Sequence, residues 1–140
     1  MNTYSYEEII ELFRNLGIRT TPQRLSIYQL LCYSKSHLTA EQIYQSLADK
    51  IPGLSLGTVY KTLDTLVEKG LVRRLKGTDD SVHFDADLDS HYHLFCEKTD
   101  KIMDYNDSEL KQILDKYFES KQIDGFKIKE IQLNIIGETI

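Results

Sequence analysis

Between Ser5 and Gly70 the chain repeats one device four times, a helix-capping residue followed by an apolar stripe at helical spacing, and three of the four runs close on a stop. Ser5 and Glu8 make a capping box, in which each side chain satisfies a backbone N–H that the helix end leaves unpaired. Ile9, Leu12, Phe13 and Leu16 then share one face, and Gly17 ends the run. Thr21 caps a second helix with Pro22 at its first position, where a missing N–H costs nothing. Leu25, Tyr28, Leu31 and Cys32 form its inner face. Thr39 with Gln42 repeats the capping box before Ile43, Tyr44 and Leu47, and Ile51-Pro52-Gly53-Leu54 breaks that helix. Ser55 caps the fourth, with Val59, Leu63 and Leu66 inward and Gly70 as the stop. A short helix, a turn containing Gly and a second amphipathic helix make a helix-turn-helix pattern, although any helical bundle gives the same signal.

Residues 71–85 narrow the choice. Leu71-Val72-Arg73-Arg74-Leu75 reads as a strand, Lys76 to Asp80 as a turn, and Val82-His83-Phe84-Asp85 as a returning strand. A basic hairpin directly after the second helix of a helix-turn-helix is the wing of a winged helix. The polar stretch 86–90 then reads as a hinge. Beyond it come a hairpin over about 91–105, a helix over about 108–120, and a strand from Phe126 to Ile136 whose alternation slips near Glu130, as at a bulge. That helix carries Leu110, Ile113, Leu114, Tyr117 and Phe118 on one face. A β-β-α-β unit of about fifty residues has a small core and open strand edges, so it should pair with a second copy. The expected class is α+β: a winged-helix unit over 1–85, a hinge over 86–90 and a small α/β dimerisation unit over 91–140.

The net charge of −5 argues against nucleic acid only until it is located along the chain. Residues 19–76 carry nine Lys/Arg against four Asp/Glu, a balance of +5, while residues 85–140 carry seven against thirteen, a balance of −6. The first stretch suits phosphate and the second does not. No apolar run reaches membrane-spanning length and no secretory leader is evident, so a cytoplasmic protein is expected. Two cysteines, Cys32 and Cys96, cannot build a four-sulfur zinc site within one chain.

The candidate metal ligands lie around the hinge. His91 and His93 are two apart on an expected strand and so share a face. A turn at Lys98-Thr99 sets Asp104 opposite His93 on that face. Two imidazoles and a carboxylate suit a divalent transition metal, although an exposed His-Tyr-His is often plain surface. His37, in the loop before the third helix, and Asp85, at the end of the wing, complete the set. His83 shares a strand face with Asp85 and reads as exposed, with a supporting role open to it.

The order and spacing of several stretches resemble the ferric uptake regulator family over essentially the whole chain. They are Gly17-Ile18-Arg19-Thr20-Thr21-Pro22-Gln23-Arg24, His37-Leu38-Thr39-Ala40-Glu41, Gly57-Thr58-Val59-Tyr60, Gly70-Leu71-Val72 and His91-Tyr92-His93. The resemblance implies a winged-helix homodimer that represses transcription from palindromic operator DNA. It also implies a regulatory metal, Fe2+ or Mn2+ with Zn2+ able to enter in vitro, held by His37, Asp85, His91, His93 and Asp104. Asp85 and Asp104 resemble the peroxide-sensing branch. On that branch bound ferrous iron reduces peroxide, and the oxidation of His37 or His91 releases DNA. One departure stands out. Cys96 keeps the first position of the family's hairpin C-x-x-C, but Thr99 replaces the second, and the chain ends Gly137-Glu138-Thr139-Ile140. No structural zinc is expected, and Cys96 reads as a core residue.

On the fourth helix, Thr58, Tyr60 and Lys61 lie off the core stripe, and the resemblance implies that Tyr60 and Lys61 approach bases, with Tyr60 able to touch a thymine methyl. Arg19, Arg24, Arg73 and Arg74 are candidates for phosphate, although each alone reads equally well as solvated surface. The rival readings are an iron- or zinc-responsive repressor without a redox step, and a small non-haem iron enzyme. The second lacks an evident substrate pocket, so no enzymatic activity is expected.

Overall fold

The computed structural model describes residues 4–34, 36–87 and 92–140. Its elements in chain order are α1 (Tyr6–Asn15), α2 (Pro22–Tyr33), β1 (Ser36–Thr39), α3 (Ala40–Leu47), α4 (Leu56–Glu68), β2 (Arg73–Lys76), β3 (Val82–Asp85), β4 (Tyr92–Cys96), β5 (Ile102–Tyr105), α5 (Ser108–Ser120) and β6 (Asn134–Gly137). The class is α+β, a winged helix followed by a small α/β unit. Among the described residues, no helix is long and apolar enough to cross a membrane.

The caps read from the sequence form as bonded pairs. Ser5 with Glu8 and Thr39 with Gln42 close reciprocal boxes, and the Thr21 and Ser55 side chains accept from the backbone of Arg24 and Thr58. Each such cap contributes about 1 kcal/mol. Gly17 and Gly70 take φ of +72° and +79°, the left-handed turn that ends α1 and α4 without a Cβ penalty.

Ile9, Phe13, Ile27, Ile43, Val59, Leu63 and Leu66 all lose their water entirely and join one cluster with Phe84 of the wing. Truncating one of these, for example Leu63→Ala, costs about 2–5 kcal/mol because the neighbours only partly refill the space. On α2 the inward face includes Ile27, which the stripe read from Leu25 missed; Leu25 is only half-buried.

The strands depart from expectation in three places. First, His37 lies on a strand rather than in a loop. β1 pairs on one side with β3, through Leu38↔Phe84 and Thr39↔His83, and on the other with β5, through Ser36↔Met103 and His37↔Ile102. The wing and the C-terminal hairpin are thereby joined in one six-stranded sheet ordered β2-β3-β1-β5-β4-β6. Four residues give no readable alternation, so periodicity could not find β1. Second, the wing strand starts at Arg73, because Leu71 and Val72 turn into the core. Third, the last strand spans only Asn134–Gly137 and runs parallel to β4 from His93↔Asn134 onward. Leu133 still accepts the His93 N–H at 3.3 Å, and residues 126–132 lie ahead of the first pair.

The expected hairpin and helix of the C-terminal half form at the expected positions, with β4 and β5 in the register His93↔Asp104. The apolar face of α5 meets little of its own chain: Ile113 and Tyr117 are 58% and 50% exposed. Phe126 and Ile136, at 68% and 56%, extend the same uncovered character.

Candidate metal centre and DNA-facing surface

Four of the five expected ligands converge, each delivered by a different strand. His37 comes from β1, Asp85 from the end of β3, His93 from β4 and Asp104 from β5. One ligand atom from each lies within 4.8 Å of the others. The fifth, His91, and the hinge residues 88–90 lie outside the described residues.

His93 and Asp104 face each other because they are direct cross-strand partners in the β4–β5 hairpin. His93 Nε2 stands 3.3 Å from Asp85 Oδ2 and 3.8 Å from Asp104 Oδ1. His37 bridges the two carboxylates, with Nδ1 at 3.4 Å from Asp85 Oδ1 and Nε2 at 2.5 Å from Asp104 Oδ1. The two imidazoles meet edge to face, their centroids 5.2 Å apart. Asp85 is 1% exposed, and its Oδ1 accepts the Asp87 backbone N–H at 2.8 Å, which fixes the carboxylate as the chain leaves the wing.

The donor set fits a divalent transition metal. Two carboxylates held together away from water repel, and a cation between them offsets that cost. Imidazole with carboxylate is the mixture that suits first-row ions of borderline softness. Ligand bonds of about 2.1 Å put opposite donors about 4.2 Å apart, close to the spread observed here.

His83 is not exposed, contrary to expectation, but 1% accessible. The reason is β1: β3 has strands on both sides, and the residue pairs with Thr39. Its Nδ1 lies 2.9 Å from the His37 carbonyl and its Nε2 2.9 Å from Ser81 Oγ. Only its spacing of two from Asp85 hinted at this role in the sequence.

In the N-terminal half, α4 presents Tyr60 and Lys61 to solvent, while Thr58 is half-covered and its Oγ1 sits 2.9 Å from Ser55 Oγ. The Tyr60 hydroxyl donates to Glu41 at 2.6 Å, a partner that sequence reasoning missed. That bond lowers the Glu41 carboxyl and raises the Tyr60 phenol relative to their ordinary values. Arg19 is exposed, and its carbonyl accepts from Arg24 Nη1 at 3.1 Å. Successive strand residues point to opposite faces, and β2 divides its two arginines accordingly. Arg74 reaches Asp64 of α4 at 2.6 Å, whereas Arg73 turns to Glu130 in the C-terminal half at 3.3 Å.

Cys96 is enclosed, as expected of a core residue, with Sγ 3.2 Å from Thr139 Oγ1. Hydrogen bonds from Thr139, then Thr99, outweigh desolvation and hold its thiol down at about 6. Burial beside Tyr28 instead pushes Cys32 up to about 11.

Known proteins with similar sequences identify the family. The profile of the ferric uptake regulator family matches residues 15–136. The peroxide-responsive repressor PerR of Staphylococcus epidermidis is 40% identical over 110 residues, covering 79% of this chain and 73% of that protein. The peroxide operon regulator of Bacillus subtilis is 36% identical over 137 residues, covering 98% and 92%. In fold, the Vibrio cholerae ferric uptake regulator superposes with a TM-score of 0.76 at 22% identity, covering 92% of this chain and 98% of that one. A zinc-bound manganese uptake regulator gives 0.78 at 24% identity, covering 94% and 98%. With a profile match over most of its length and relatives of this similarity, the chain belongs to the ferric uptake regulator family.

Proposed function

We propose that the protein is a metal-dependent DNA-binding repressor of the peroxide-responsive kind, acting as a homodimer on palindromic operator DNA. One observation carries the reading: His37 and Asp85, from the half that holds α4 and the wing, share a buried cluster with His93 and Asp104 of the C-terminal half. The ligands we assign are these four together with His91. We divide the chain into a DNA-binding unit over 1–85, a hinge over 86–90 and a dimerisation unit over 91–140. The single apolar cluster of the first half, and the uncovered α5 face of the second, support that division.

A cation shared by the two halves favours one arrangement of wing and hairpin and so sets the spacing of two α4 helices on two half-sites. Thr58, Tyr60 and Lys61 would read the groove, and Arg19, Arg24 and Arg74 would meet phosphate. Ferrous iron, when bound, supplies electrons for peroxide reduction; manganese fills the same role in holding the halves without that reactivity. His37 lies inside the cluster, and adding one oxygen to its ring, or to that of His91, would impair a ligand and loosen the junction.

Anaerobic protein loaded with Fe2+ or Mn2+ tests the reading. Both forms should bind an operator duplex tightly and the metal-free form weakly, while His37→Ala and Asp104→Ala should fold and lose the metal dependence. Brief peroxide should add one oxygen to peptides holding His37 or His91 in the iron form only. If the iron form stays unmodified and DNA-bound, the protein is a metal-level sensor instead. If metal leaves DNA binding unchanged, the repressor reading fails.

A further inference from the structure

The ring of His83 lies between the metal cluster and the turn of the wing, and both its nitrogens are engaged. A carbonyl can only accept, so the Nδ1 facing His37 O at 2.9 Å carries the proton. In the neutral ring Nε2 then accepts from the Ser81 hydroxyl at 2.9 Å. Ser81 closes the wing turn, because its carbonyl accepts the Gly77 N–H at 2.7 Å. The slot is tight. A Cβ on Gly77 would stand 2.9 Å from Ser81 Oγ and 3.2 Å from His83 Nε2, so a residue with a side chain would press on both. A second contact, Thr78 Oγ1 donating to Asp100 at 3.2 Å, holds the same turn against the β4–β5 turn.

We propose that His83 is a positioning residue that couples the metal centre to the wing: its ring transmits the placement of His37 to Ser81 and the wing turn. The inference rests on the metal-dependent repressor reading and names the internal link by which that site regulates DNA binding. The ring is 1% exposed and hydrogen-bonded at both nitrogens, which holds its orientation between His37 and Ser81. A shift of the β1 backbone at His37 therefore moves either the hydrogen bond to Ser81 or the turn itself. The coupling is reciprocal, so DNA on the wing should also tighten metal binding.

Two amides separate the halves of this link. Asn places its amide where Nδ1 stands and retains the bond to His37 O, while Gln places its own near Nε2 and retains the bond to Ser81. The measurement is the ratio of DNA affinity with and without saturating Mn2+, using full-length protein and a duplex selected from random DNA by the Mn2+-loaded parent. His83→Gln, His83→Asn and Ser81→Ala should each lower that ratio by about fivefold or more. Ser81→Ala and His83→Asn should bind Mn2+ alone within about twofold of the parent, because His37 keeps its support. A readout free of DNA is hydrogen exchange at the Gly77 amide. Zn2+ should slow it in the parent and leave it unchanged in His83→Gln.

A residue serving stability alone would lower the melting temperature and leave the ratio intact. If His83→Gln and Ser81→Ala both keep the parental ratio, or if Zn2+ protects Gly77 equally in His83→Gln, the coupling is overturned. Should His83→Gln fail to fold, Ser81→Ala, which removes only a hydroxyl, decides alone. A parent showing no metal-stimulated binding would overturn the repressor reading itself, and the coupling with it.

Discussion

On the proposed function, the two arginines of β2 separate a candidate DNA contact from a brace to the C-terminal half. Arg74 sits on the α4 side of the wing, held by Asp64 at 2.6 Å, while Arg73 faces Glu130 at 3.3 Å. Each phosphate neutralised contributes about 0.9 to the slope of log affinity against log salt, so between 50 and 200 mM salt each contact costs about 3.5-fold in affinity. Arg74→Ala should therefore flatten the slope by about 0.9, and Arg73→Ala should leave it unchanged. The Asp64 pair must loosen when Arg74 turns to phosphate. Its side chains are 48% and 66% exposed, so screening keeps its worth to about 0.2–1 kcal/mol. Asp64→Asn should then tighten DNA binding by about 1.4- to 5-fold while leaving the slope unaltered. Fluorescence anisotropy with a labelled duplex at five salt concentrations measures all three variants. If Arg73→Ala flattens the slope as much as Arg74→Ala does, the division of β2 into a DNA side and an inner side is wrong.

Three further outcomes are expected. Mild chelation should strip every metal ion without dissociating the dimer, because Thr99 and Thr139 stand beside Cys96; sedimentation and metal analysis check this, and a chelation-resistant zinc would contradict it. Thiolate absorbance of the native protein should rise with a midpoint near pH 6 for Cys96, the thiol being protonated below and ionised above it. Thr139→Val, which removes the first of the hydrogen bonds, should move that midpoint upward, while Cys32 stays protonated to about pH 11. Tyr60→Phe removes the bond to Glu41 and should return the Glu41 carboxyl upward toward its ordinary range, as followed by NMR titration.

Legibility in the sequence followed the range of the interactions involved. Caps act over three residues, so Ser5, Thr21, Thr39 and Ser55 announced their helices, and the Gly stops announced the ends. The pairing of His93 with Asp104 was equally readable, because a tight turn fixes a hairpin register. What stayed hidden depends on distant neighbours. The burial of His83 is a consequence of β1 lying beside β3, and β1 is held by partners 44 to 67 residues away along the chain. Nothing local marks that. The wing arginines were half readable: adjacent strand positions point to opposite faces, but nothing local names Asp64 and Glu130 as their partners. The candidate ligands were read by type and by family likeness, but only the folded sheet brings His37 to Asp104.

The double role of β1 has a mechanical consequence. Among the described residues, the C-terminal hairpin is stitched to this strand along the backbone by two residue pairs, Ser36↔Met103 and His37↔Ile102. Each hydrogen bond of such a ladder contributes about 0.5–1.5 kcal/mol net, so the seam holds with only a few kcal/mol. Moving a two-state joint from about 1:99 to 99:1 takes about 5.5 kcal/mol of differential binding. On the proposed function, a seam this short would fasten the halves firmly enough to define one geometry and weakly enough for a single ion to decide whether it stays shut. A longer strand at that position would have made a stiffer protein and a poorer sensor.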